Sequence, residues 1–227
     1  MLNAIEIVIV TFFALLPISN PFSTIPLFIS LTHGQPDEWA RQQALKACFY
    51  MIGILFVFLW GGALIIEFFG ISISAIRIAG GAIIMRVGFA MLNPKTAKPI
   101  TDGGKQEATQ KSEIAFTPLA MPSLSGPGSI AAIIGTAAGF DNLLGYISIS
   151  VGIMLVAFVG WIAMRSAPLI ARLLGDTGLD AITRIMGFLL ITIAFQFVFD
   201  GIASFFADES FLGPIMDSLR PMLTEQR

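Results

Sequence analysis

Apolar residues run through the chain in six long blocks, each near the length of about 20 residues that a membrane-crossing helix needs. The blocks are Ile5 to Leu31, Ala44 to Phe69, Ser72 to Leu92, Ile114 to Gly139, Leu143 to Met164 and Arg184 to Ala207. The first and fourth are interrupted, the first at Pro17-Ile-Ser-Asn-Pro21 and Pro26, the fourth at Pro118, Pro122 and Ser125-Gly-Pro-Gly128. One long polar stretch, Asn93 to Lys111, falls between the third and fourth blocks and reads as a flexible linker. The tail from Asp208 carries scattered apolar residues that suit the membrane interface.

The two halves resemble each other. Pro17-Ile-Ser-Asn-Pro21-Phe-Ser23 recurs as Pro122-Ser-Leu-Ser-Gly-Pro127-Gly-Ser129, and Arg77-Ile-Ala-Gly80 recurs as Arg184-Ile-Met-Gly187. The offset runs from 105 (Pro17 to Pro122) to 107 (Arg77 to Arg184). Three crossings per half is an odd number, so the second half must run upside down relative to the first. The expected fold is therefore an all-α membrane protein of six transmembrane helices, arranged as two inverted three-helix repeats with spans one and four broken at mid-membrane. Residues 1–92 form the first repeat, 93–112 a cytoplasmic loop, 113–207 the second repeat and 208–227 a periplasmic tail.

Composition agrees with lipid as the solvent. The 227 residues are 56% hydrophobic and 12% charged, with mean hydropathy +0.84. Soluble domains carry about twice that charged fraction. The formal net charge of −2 offers no basic footprint for nucleic acid. Cys48, the single cysteine, reads as a buried thiol. The start lacks a basic region before its apolar run, so no cleaved signal peptide is expected. In the six-span topology Arg41, Lys46, Arg86, Lys95, Lys98, Lys105, Lys111, Arg165, Arg172 and Arg184 fall on one side, against Arg77, Arg220 and Arg227 on the other. The basic side is expected to be cytoplasmic, which puts both termini outside.

The breaks carry the candidate chemistry. Proline inside a helix removes a backbone donor and clashes with the carbonyl four residues back. In hydrocarbon, the freed groups need protein or a water-lined cavity to satisfy them. Asn20 before Pro21, and Ser125 or Gly126 before Pro127, read as caps of fresh helices. With the halves inverted, the two new helix N-termini converge at the bilayer centre and suit a carboxylate. Carbonyls near Leu15, Leu16 and Ala120 would suit an ammonium group or small cation. The candidate substrate site comprises Ser19, Asn20, Pro21, Ser23, Thr24, Ser125, Gly126, Pro127, Gly128 and Ser129, all small or neutral. Paired interruptions at matching places are the sequence pointer to a transporter site.

Charged residues inside spans are costly and commonly paired. Arg77 and Arg184, with Glu67 and Asp200, are candidates for a gate or ion pair, and Asp176 or Asp180 is a candidate partner for Arg184. Gln196 could bond across helices or reach the site. Ala131, Gly135 and Gly139, four apart, suit close helix packing. His33 reads as a turn residue. No metal or other cofactor is expected, and no enzymatic motif stands out: no span holds a paired Asp set, a zinc-type His motif or a Ser with an available His.

Asn20-Pro-Phe-Ser-Thr-Ile-Pro-Leu-Phe28, Gly70-Ile-Ser-Ile with Arg77-Ile-Ala-Gly-Gly81, Ala115-Phe-Thr-Pro-Leu-Ala-Met-Pro-Ser-Leu-Ser-Gly-Pro-Gly128 and Arg184-Ile-Met-Gly187 closely resemble the MarC family of bacterial and archaeal inner-membrane proteins. The resemblance covers all six blocks. It implies a place beside the LysE-type amino-acid exporters and transport of small neutral amino acids such as glycine and alanine. It also implies that Asn20, Pro21, Ser125, Gly126, Pro127 and Gly128 form the substrate region. The functional expectation is a secondary transporter in the inner membrane, with a passive channel or a drug efflux protein as alternatives. The partners expected are the lipid bilayer, the amino acid and a coupling proton or sodium ion, and a homo-oligomer is compatible with the sequence.

Overall fold

The computed structural model of the chain describes residues 3–92, 113–140 and 142–207. The linker 93–112 and the tail 208–227 lie outside the described residues, as do the side chains of Ser23, Pro122 and Asp176. The described residues fold into helices: α1 Ala4–Ser19, α2 Pro21–Thr32, α3 Asp37–Phe69, α4 Ile73–Leu92, α5 Ala115–Leu124, α6 Pro127–Ala137, α7 Leu143–Arg165 and α8 Ala167–Phe206.

Local chemistry sets several of the ends. The Glu6 carboxylate accepts the Asn3 N–H at 2.9 Å ahead of α1, and the Asn142 side chain accepts the Gly145 N–H at 2.7 Å to open α7. Helix α3 stops at Gly70, whose φ of 62° is left-handed backbone that glycine adopts without steric cost. Gly175 (φ 60°) does the same inside α8 and divides it, so that the crossing portion runs from Thr177 to Phe206.

Four helices are long and apolar enough to cross a membrane: α3, α4, α7 and the Thr177–Phe206 part of α8. Taken together, α1 and the Thr24–Thr32 part of α2, bent by 54°, have the length and apolarity of a fifth span. The block from Ile114 to Gly139 departs from the expected broken span. It divides into α5, a π-helical segment of 10 residues with extended backbone at Thr117 and Met121, and α6, of 11 residues. Neither piece is long enough to cross alone. In the first block the break is confined to Asn20, because Pro17 and Pro26 are carried inside α1 and α2. Pro21 at the first position of α2 forfeits only a donor already outside the ladder, whereas Pro26, inside the helix, leaves the Phe22 carbonyl without its i+4 donor.

The strongest packing joins α4 to α8, antiparallel. A side chain at Gly81 would strike Val198 Cγ2 at 2.7 Å and the Ala194 carbonyl at 2.8 Å. One at Gly88 would meet the Gly187 carbonyl at 2.9 Å, and one at Gly201 the Ser74 carbonyl at 2.9 Å. Ser74, Gly81 and Gly88 thus face Gly201, Ala194 and Gly187, with one small residue every second turn on both helices. Of the expected small-residue stripe, Ala131 packs on Gly80, and Gly135 on Arg77 and Phe197. Gly139 meets only its own turn, at the Thr136 carbonyl.

Elsewhere the contacts come in matched pairs. Helix α1 packs on α7 as α5 packs on α3, α2 on α8 as α6 on α4, and α2 on α7 as α6 on α3. The larger apolar core gathers side chains from α1, α2, α3, α5, α6, α7 and α8, including Leu15, Ile25, Met51, Leu55, Ile133 and Ile153. A second cluster, Ile18, Ile84, Ala132, Leu190 and Ala194, ties the end of α1 to α4, α6 and α8.

The helix breaks as a candidate functional site

The two breaks meet. Ser19, the last residue of α1, brings its Oγ to 3.4 Å from Ser129 Oγ in the first turn of α6. Ser19 and Ser125 are 0% exposed and Ser129 is 1% exposed, so the hydroxyls are closed off from solvent. Asn20 and Thr24 are buried beside them. Gly128 sits where α6 presses on α4: a Cβ there would stand 2.8 Å from Ile84 Cγ1 and 3.5 Å from Ile18 Cγ2. Of the expected site residues, Ser19, Gly128 and Ser129 are in or near mutual contact, and Asn20, Pro21, Thr24, Ser125, Gly126 and Pro127 flank them along the chain. The Ser23 side chain lies outside the described set.

Helix geometry at the breaks differs from the expectation in two ways. Asn20 does not cap α2 from extended backbone. It closes α1 in left-handed backbone (φ 38°, ψ 65°), its N–H donating to the Leu16 carbonyl at 3.0 Å. Asparagine tolerates that region better than most residues because its short amide can bond locally. Its Nδ2 donates to Met91 Sδ at 3.1 Å, at the end of α4, and its carbonyl accepts Thr24 Oγ1 at 3.3 Å. On the other side Gly126, extended at φ −67° and ψ 174°, is the residue ahead of Pro127 and of α6.

The second difference concerns carbonyls. Those of Leu16 and Ala120 are not bare: Asn20 N–H takes the first, and Ser125 takes the second twice, through N–H at 2.9 Å and Oγ at 2.8 Å. Ser129 Oγ donates to the Leu124 carbonyl at 3.3 Å. The small hydroxyls satisfy the carbonyls that the broken ladder releases, as a low-dielectric setting demands. The first-turn N–H groups of α2 and α6 stand outside the intrahelical ladder by the geometry of any helix start, a feature that suits an anion.

Sequence reasoning passed over Gln43. Its buried Oε1 accepts the N–H groups of both Ile114 and Ala115 at 3.1 Å, which fixes the start of α5 against α3. Gln43 follows Gln42 in the polar opening of α3, so nothing in the local sequence marks it.

The charged candidates do not form the expected pairs. Arg77 donates to Ser204 Oγ at 2.8 Å and to the Gly135 carbonyl at 3.4 Å. Gly135 belongs to the last turn of α6, where carbonyls lack helical donors and the macrodipole is negative, so a guanidinium is the natural cap. Asp200 Oδ1 instead accepts Gln196 Nε2 at 2.8 Å within α8, so Gln196 bonds along its own helix rather than across helices. Glu67 and Arg184 are exposed, and no ion pair links Arg184 to Asp180 among the described residues. The ion pair that does form there is Lys46 with Glu113 at 3.2 Å, half-exposed at both ends, with Tyr50 OH donating to the same carboxylate oxygen. His33 stands in the turn before Gly34, and Cys48 is buried. Among the described residues no group of three or more His, Cys, Asp or Glu is placed to hold a metal ion.

The chain is 38% identical over 199 residues to the inner membrane protein MarC of Escherichia coli K12, covering 83% of this chain and 90% of the relative. The same protein from Escherichia coli O1:K1 and from strain UTI89 matches with the same identity and coverage. No solved structure matches the chain. A model of the MarC family of integral membrane proteins matches residues 5–206, and the chain belongs to that family.

Proposed function

We propose that the chain is an inner-membrane secondary transporter of small neutral amino acids such as glycine or alanine, working by alternating access around the paired breaks. The observation that carries this reading is the Ser19–Ser129 hydroxyl contact, which joins the end of α1 to the first turn of α6 across 110 positions of sequence. Two helix starts beside buried hydroxyls suit a carboxylate, and the residues around them are small and neutral, which favours a small solute.

The matched packing supports an inverted repeat, in which α1 and α2, α3 and α4 correspond to α5 and α6, α7 and α8. Under that correspondence each half contributes one broken element, one crossing helix and one helix of the central glycine seam. The buried state of Ser19, Ser125 and Ser129 then represents a closed conformation, and opening on either face exposes the same hydroxyls in turn. In this reading the cation-rich loops face the cytoplasm and both termini lie outside. The relatives named above are called inner membrane proteins, which supports the same location for this chain.

Uptake of labelled alanine into liposomes holding the purified protein tests the reading. Saturable uptake is expected, and Asn20→Leu or Gly126→Leu abolishes it while the protein still inserts and keeps its helicity. Flux that stays linear with concentration would indicate a passive channel. Unchanged flux in both variants would remove the breaks as the substrate site.

A further inference from the structure

Two cavities that share no lining residue lie in succession along the seam between α3 and α7. The first, of about 340 Å³, has a mixed polar and apolar lining, with His33, Asp37 and Arg41 on one side and Arg165 on the other. The second, also about 340 Å³, is apolar and lies one turn deeper, between Leu45, Phe49 and Ile52 of α3 and Met154, Phe158 and Trp161 of α7. Asp37, Arg41, Leu45, Phe49 and Ile52 step along α3 by three or four residues, and Arg165, Trp161, Phe158 and Met154 do the same along α7. Each series therefore occupies a single helix face. The Arg165 guanidinium lies 5.6 Å from the Trp161 ring centroid and joins the two compartments.

We propose that this seam is a binding site for an anionic phospholipid, with its phosphate-bearing headgroup between Arg41 and Arg165 and one acyl chain in the groove below. Charge selects the headgroup. Two permanent guanidinium groups oppose a single carboxylate, Asp37, so the first cavity favours an anion and disfavours the ammonium of a zwitterionic headgroup. The attached groove selects a lipid over a soluble phosphate. It opens on the bilayer face, where Phe49 and Phe158 are 64% and 55% exposed, and a water-soluble anion would leave it unfilled. A Trp and an Arg stacked at the boundary between the compartments match the depth at which headgroup gives way to hydrocarbon.

Trp161 provides the readout. The full chain with Trp39→Phe and Trp60→Phe, reconstituted in phosphatidylcholine vesicles, keeps one tryptophan, at the groove. Chain-brominated phosphatidylglycerol is expected to quench it half-maximally at a mole fraction about fivefold lower than chain-brominated phosphatidylcholine. Arg41→Gln with Arg165→Gln should erase that preference, and Arg41→Lys with Arg165→Lys should retain much of it. Equal quenching by the two lipids, or a preference that survives removal of both arginines, would overturn the proposal. Native mass spectrometry of the unaltered chain taken from mixed membranes gives a second readout. Retained phosphatidylglycerol in excess over phosphatidylethanolamine supports the site, and equal retention counts against it.

Discussion

Asn20 is the one non-glycine residue with positive φ among the described residues, and it stands at the junction of α1 and α2. Left-handed backbone costs most L-residues about 1–2 kcal/mol, which glycine avoids and asparagine reduces. Asn20→Gly should therefore hold its melting temperature in detergent close to the parent, whereas Asn20→Val should lower stability by about 1–3 kcal/mol through backbone strain. If the two variants melted alike, the left-handed junction would not matter to stability. Gln43 makes a second residue-level case. Gln43→Leu leaves the buried N–H groups of Ile114 and Ala115 without an acceptor and should cost about 1–3 kcal/mol for each unpaired donor. Thermal unfolding followed by circular dichroism measures it. The Asn20-Pro21 junction was legible in sequence because proline and asparagine punctuate an apolar run. Gln43 was not, because its partners lie 71 and 72 positions away and no local pattern announces them.

At the scale of elements, the glycines of the α4–α8 seam set how closely the two helices approach. Backbone carbonyls lie 2.8–2.9 Å from where side chains at Gly81, Gly88, Gly187 and Gly201 would begin. A carbonyl cannot swing aside as a side-chain tip can, so alanine there must push the helices apart. Gly88→Ala and Gly187→Ala should each lower stability by about 1–3 kcal/mol. Gly53→Ala, which meets nothing within 4 Å, should change it by less than about 0.5 kcal/mol. Melting curves of the three variants in one detergent decide the matter, and similar losses for all three would contradict a packed seam. The helices themselves were largely legible: α4 and α7 match the expected blocks to within a residue at each end. The extension of α3 back to Asp37 was not, since its first two turns are polar and hydropathy marks only the lipid-facing part. Nor was the π-helical form of α5. Its five-back bonds, such as Ser125 N–H to the Ala120 carbonyl, run between a start held by Gln43, distant in sequence, and an end where the Ser125 hydroxyl shares the Ala120 carbonyl.

For the whole molecule, the repeat read from two short motifs is matched by packing in which the contacts of α1 and α2 are echoed by those of α5 and α6. The charged residues were the least legible part. Sequence suggests that arginine seeks carboxylate, but Arg77 finds a hydroxyl and a helix-end carbonyl, both of which exist only once α6 and α8 have docked. The inverted arrangement we propose carries a topological consequence. A reporter active only in the periplasm should work when fused after Arg227, and activity of a cytoplasmic reporter alone at that position would reverse the orientation. The central claim is that the two breaks together form the path of the substrate. Ser19→Cys with Ser129→Cys in a Cys48→Ser background places two thiols where hydroxyls now stand 3.4 Å apart. The measurement is alanine uptake by this protein in liposomes, reduced and then oxidised. The account predicts uptake when reduced, loss of uptake once the disulfide closes, and recovery on reduction; full uptake by quantitatively cross-linked protein would contradict it.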